Sequence, residues 1–79
     1  MATSYVANAS ELERQQRITE QLERALESRI VIEQAKGIIA AERRVSVDRA
    51  FELLRGYARS HNADLRTTAD AVVRLGLRP

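Results

Sequence analysis

The chain has no cysteine, no tryptophan and one histidine, and its single proline is the last residue. Without cysteine there is no disulfide staple and no thiolate metal site. A lone histidine, His61, excludes a His-rich metal cluster. No apolar run approaches the roughly 20 residues that a membrane helix needs. The first ten residues lack the basic start and long apolar stretch of a signal peptide. A cytoplasmic protein with no membrane partner is therefore the expectation. Alternating runs of β-branched residues are missing as well, so strands are not expected. At 79 residues the chain fits one small domain. A chain of this size buries only about 60% of its unfolded surface and is marginal unless something helps it. Oligomerisation is the remaining common source of support.

What is present is charge and helical periodicity. Residues 1–28 hold three Arg and five Glu, net −2, whereas residues 29–79 hold ten Lys/Arg and six Asp/Glu, net +4. Twelve of the thirteen basic residues are arginine, whose planar fork matches phosphate and stacks on bases. This asymmetry points weakly to nucleic acid on the C-terminal part.

The pattern predicts an all-α fold: a three-helix bundle whose long N-terminal helix extends into a coiled coil. Residues 1–10 read as a disordered tail, 11–24 as a coiled-coil dimerisation extension of helix one, and 25–79 as the three-helix domain. Ser10 reads as the first N-cap, and nothing breaks the pattern until about Arg43. In the extension, Leu12, Ile18, Leu22 and Leu26, with Ala25, form a narrow apolar stripe on a charged helix, the look of a two-stranded seam. Further on, Ala25, Ile32, Ala35 and Ile39, joined by Val31 and Ile38, should pack against the other helices. Ser46 caps helix two, whose buried face is Val47, Ala50, Phe51, Leu54 and Ala58. Asn62 suits a left-handed helix end. Asp64 caps helix three, with Leu65, Ala69, Val72 and Val73 buried and Gly76 ending it.

No catalytic constellation emerges. His61 has no nucleophile beside it, no two carboxylates are forced into an apolar pocket, and there is no phosphate-binding glycine loop. An enzyme is not expected, nor is a cofactor or a metal. The oddest feature is Lys36-Gly37. A glycine inside a helix costs about 1 kcal/mol relative to alanine. It implies close approach of another surface, either a helix around Ala50 or Ala69 or a polyanion. Arg29 lies one heptad before Lys36, on the same side of the helix. Arg55 and Arg59 are one turn apart on helix two. Arg66 and Thr67 sit in the first turn of helix three, where backbone N–H groups favour phosphate.

Ser28-Arg29, Ile32-Glu-Gln-Ala-Lys-Gly-Ile38, Ser46, Ala50-Phe51, Leu54-Arg55, Ala58-Arg59, Asn62, Leu65-Arg66 and Ala69 together resemble the ANTAR domain over about residues 22–75. That domain is the RNA-binding module of bacterial transcription antitermination regulators. The resemblance implies a three-helix domain that binds RNA as a homodimer, recognising two neighbouring stem-loops with six-nucleotide loops in a leader transcript. Holding the second hairpin would keep the terminator from forming. It also implies RNA contact at Arg29, Lys36, Gly37, Arg55, Arg59, Arg66 and Thr67, with Ala35-Lys36-Gly37 matching the family signature. Two positions depart from it: Arg44 stands where glycine is usual, and Thr68 where an aliphatic residue is usual. Family members usually carry a sensory domain before this module, so a separate sensory protein is an expected partner. The competing reading is a coiled-coil adaptor of a bacterial signalling system that does not bind RNA directly. A helix-turn-helix DNA binder is weaker still, because helix three carries few base-reading side chains.

Overall fold

The computed structural model describes the backbone from Ala2 to Pro79 and the side chains from Ser10 onward. Three helices follow one another: α1 (Ala2–Arg43), α2 (Val47–Ser60) and α3 (Leu65–Leu75). No strand occurs among the described residues. Ser10 lies inside α1 and so is not its N-cap. The expected disordered tail, residues 1–10, falls almost wholly outside the residues described in full.

Helix ends follow local chemistry. Ser46 Oγ accepts from the Arg49 backbone N–H at 3.0 Å, and Asp64 Oδ1 from that of Thr67 at 2.6 Å. These are the caps the sequence marks for α2 and α3. Asn62 takes φ +53° and Gly76 φ +76°, the left-handed conformation that stops a helix. Arg44 does the same work after α1 with φ +56°. An L-residue with a side chain is strained there, by roughly 1–2 kcal/mol.

α2 and α3 both pack on the C-terminal part of α1 and on each other. The core is Val31, Ala35, Ile39, Ala50, Leu54, Ala69 and Val72. Three of these are alanines with no exposed surface, so the helices approach closely. Thr68 joins the core without leaving a polar atom unpaired, because its hydroxyl donates to the Asp64 carbonyl at 2.9 Å. The last residues fold back on α1: Leu77 packs against the core, Arg78 pairs with Glu42 and donates to the Val72 carbonyl at 3.0 Å, and Arg43 donates to the Pro79 carbonyl.

Two expected core positions are wrong. Ala25 is exposed, because burial on α1 begins only at Ser28. Val47 is 47% exposed, since the first turn of α2 overhangs the bundle. Every described side chain from Ser10 to Glu27 is exposed. The molecule therefore measures 64 Å along one axis and only 22 and 21 Å along the others.

Candidate nucleic-acid interface

Lys36 and Arg55, on different helices, meet over one aromatic ring. The Lys36 Nζ stands 4.8 Å from the Phe51 ring centroid and the Arg55 guanidinium carbon 5.4 Å from it. Both distances are within cation–π range. The Lys36 stem is packed between α1 and α2, leaving the side chain 15% exposed, and its ammonium also pairs with Glu33 at 3.0 Å. Arg29 extends this flank along α1 and Arg59 extends it along α2. Among the described residues no carboxylate pairs with Arg29, Arg55 or Arg59. All three are exposed. The arrangement is two cations over a partly buried phenyl ring, with Arg29 and Arg59 further along the same sides of α1 and α2.

Gly37 follows Lys36 on the solvent side of α1. A Cβ placed there would meet nothing within 4 Å. Close packing against Ala50 or Ala69 is thereby excluded, because Ala35, and not Gly37, faces those alanines in the core. The glycine leaves a bare stretch of helix backbone open to an incoming molecule.

Arg66 lies elsewhere. Its guanidinium is 3.3 Å from Glu27 of α1, in a groove between α1 and α3 also lined by Ile30, Gln34, Asp70 and Arg74. Glu27 and Lys36 are nine residues apart, which at about 100° per residue puts them on opposite sides of α1. Arg66 and Lys36 therefore occupy different flanks. Thr67 is exposed, but its backbone N–H is held by Asp64. Those hydrogen bonds, with the Arg66 charge nearby, hold the Asp64 carboxyl below its ordinary range. A carboxylate thus already sits where a phosphate would have docked on α3.

The sequence did not reveal Phe51 as the meeting point of Lys36 and Arg55, or Glu27 as the partner of Arg66; both contacts join separate helices. His61, expected at a helix end, is there: its ring stacks on Tyr57 with centroids 3.8 Å apart. Its backbone N–H bonds the Tyr57 carbonyl at 3.0 Å. No group of three or more metal-ligating side chains converges among the described residues. Among the described residues no helix is long and apolar enough to cross a membrane.

A family model described as the ANTAR domain matches residues 20–73. This chain belongs to the ANTAR domain family. The family is one of RNA-binding antitermination regulators and is not an enzyme family. No curated protein and no solved structure matches. The ANTAR match begins at Glu20, in the exposed part of α1, and ends at Val73, one turn before the Gly76 helix stop. It thus takes in both flanks and the two family departures, Arg44 and Thr68. The structure accommodates each departure, the first by a left-handed backbone and the second by a hydroxyl hydrogen bond.

Proposed function

We propose that this chain is an antitermination module that binds RNA as a dimer, one copy on each of two neighbouring hexaloop stem-loops in a leader transcript. Occupying the second hairpin keeps the competing terminator from forming, and polymerase reads through. The observation that carries this reading is the convergence of Lys36 and Arg55 on Phe51. RNA loops expose unstacked bases and phosphates together, and guanidinium groups address both. Each loop contact is weak for so small a surface; pairing two of them in one dimer makes the second intramolecular. On this reading Arg29, Lys36, Arg55 and Arg59 line the RNA, and Gly37 lets it approach the helix backbone. Arg66 and Thr67 serve as a secondary contact, with Glu27 competing for Arg66. Control by a separate sensory protein belongs to the same reading.

The test is fluorescence anisotropy with a tandem two-hairpin hexaloop RNA, using a single hairpin and a loop-scrambled RNA as controls. Preference for the intact tandem RNA is expected, with an affinity that falls steeply as salt rises. Replacing Arg55 and Lys36 together by alanine should weaken binding by roughly tenfold or more, at unchanged helicity. Gly37→Ala fits the fold, so loss of RNA binding in that variant would mark close approach of the ligand. Equal, salt-erased binding to all three RNAs would sink the proposal. The adaptor reading would then take over, supported by the exposed aliphatic residues of α1.

A further inference from the structure

Arg29, Lys36 and Arg43 stand seven residues apart on α1. Each heptad drifts only about 20° around a straight helix, so the three share one face over about 21 Å. Lys36 fixes which face it is: the one that meets Phe51 and Arg55 of α2. Arg29 and Arg43 are both exposed, and among the described residues neither pairs with an aspartate or glutamate. Arg43 is not among the contacts of the proposed function.

The residues after α3 decide what Arg43 offers. Its guanidinium donates to the Pro79 carbonyl, which steadies it at the end of the helix. Glu42, next to it in the chain, would offset its charge. Arg78 takes up that carboxylate instead, with Nε on one oxygen and an Nη on the other at 3.2 Å. Arg78 also donates to the carbonyls of Val72 and Leu77, at 3.0 and 2.8 Å, and Leu77 packs against the core. Residues 76–79 are thus a strap across the end of α1. They lie beyond the family match, which ends at Val73.

We infer that Arg43 is a further RNA contact, on a stem phosphate, and that the strap of residues 76–79 positions it. The inference rests on the proposed function and gives the RNA a direction on the surface. Unstacked loop bases belong at Phe51, where Lys36 and Arg55 meet. A stem leaving that point follows the row of cations one way or the other. Toward Arg29 it would meet the first part of α1, and residues 1–28 are net −2. Toward Arg43 it leaves the bundle past two adjacent cations, Arg43 and Arg44. Charge therefore turns the stem to the Arg43 end. A phosphate contact there sets the register of the RNA and reads no sequence. Arg78 touches no RNA; it acts through Glu42 and the strap.

Anisotropy on the full chain tests this, with the intact tandem RNA and the loop-scrambled RNA, each at several salt concentrations. Circular dichroism confirms folding. Arg43→Ala should weaken both RNAs by the same factor, roughly three- to tenfold, and lower the slope of log affinity against log salt by about 0.7–0.9. Arg43→Lys keeps the charge and should restore the slope. Arg49→Ala removes a cation about 120° around α2 from Arg55 and should change affinity by less than about twofold. Arg78→Gln should weaken binding by roughly twofold, and add little once Arg43 is alanine. Unchanged affinity and slope in Arg43→Ala would overturn the contact. A loss confined to the intact tandem RNA would put Arg43 on the loop and overturn the stem direction. Fully additive losses at Arg43 and Arg78 would overturn the positioning role of the strap. The proposed function fails separately, if the native chain does not prefer the intact tandem RNA; the slope at Arg43 is read on the scrambled RNA in either case.

Discussion

From Ser10 to Glu27 and from Ser28 to Arg43, α1 is one uninterrupted helix with two kinds of support. Apart from the Glu27–Arg66 pair at its end, the first stretch has its own backbone hydrogen bonds and short-range pairs such as Arg14 with Glu11 at 2.6 Å, both side chains being about half exposed or more. Surface pairs of this kind contribute little. The second stretch buries Val31, Ala35 and Ile39 against two other helices. Isolated helices are marginal in water, and tertiary packing normally stabilises them. The contrast teaches that helicity in the first stretch depends on continuity with the bundle and on whatever covers Ile18, Leu22, Leu26 and Ile30.

The strongest way to break this contrast is to remove one leucine from each part. Leu54 is fully buried, so Leu54→Ala should cost about 2–5 kcal/mol, enough to unfold much of so small a bundle. Leu22→Ala, in chain dilute enough to be monomeric, should change stability by no more than about 0.5 kcal/mol. Urea denaturation followed by circular dichroism reads both, and equal losses would show that the two stretches are not independent. Next in size, Ser46→Ala removes the α2 cap and should lower bundle stability by about 1 kcal/mol, leaving the helicity of the first stretch of α1 unchanged. Arg44→Gly should raise the melting temperature by a few degrees. It relieves the left-handed strain, worth roughly 1–2 kcal/mol, and loses part of that gain to the freer unfolded chain.

The smallest expected effect is a pH dependence confined to the bundle. Hydrogen bonding from Arg78 holds the Glu42 carboxyl below its ordinary 4.5, and hydrogen bonding from Thr67 holds Asp64 below its ordinary 3.8. Groups lowered in the folded state stabilise it fully above those ordinary values. The stabilisation is lost as the pH falls through the lower folded-state values. Thermal melts between pH 7 and pH 3 should therefore hold steady and then decline at the acid end. Glu42→Gln together with Asp64→Asn should flatten that decline.

What could be seen in the sequence was what depends on near neighbours. Ser46, Asp64, Asn62 and Gly76 act within a few residues of themselves, and each stands where its chemistry suggested. The three helices and most of the core follow from periodicity for the same reason. Ala25 was misplaced because periodicity gives a face of the helix, not the level at which the bundle begins. Gly37 was open to two explanations until the packing of its neighbour Ala35 removed one. The flank made by Lys36, Phe51 and Arg55 was only half legible: the cations stood out, but their meeting point depends on how α1 and α2 cross. Arg66 looked like a companion of Lys36 because both are cations of the family pattern. Its partner Glu27 is 39 residues away, and half a turn of α1 separates the two sites.

That separation turns residue count into a phase setting. α1 carries the exposed row of Ile18, Leu22 and Leu26 and the basic flank of Lys36 on one rigid screw, so the number of residues between them fixes the angle between the two faces. A single residue added to α1 between Leu26 and Lys36 would swing one against the other by about 100°. Seven or eleven added there would nearly restore the alignment, at a longer spacing.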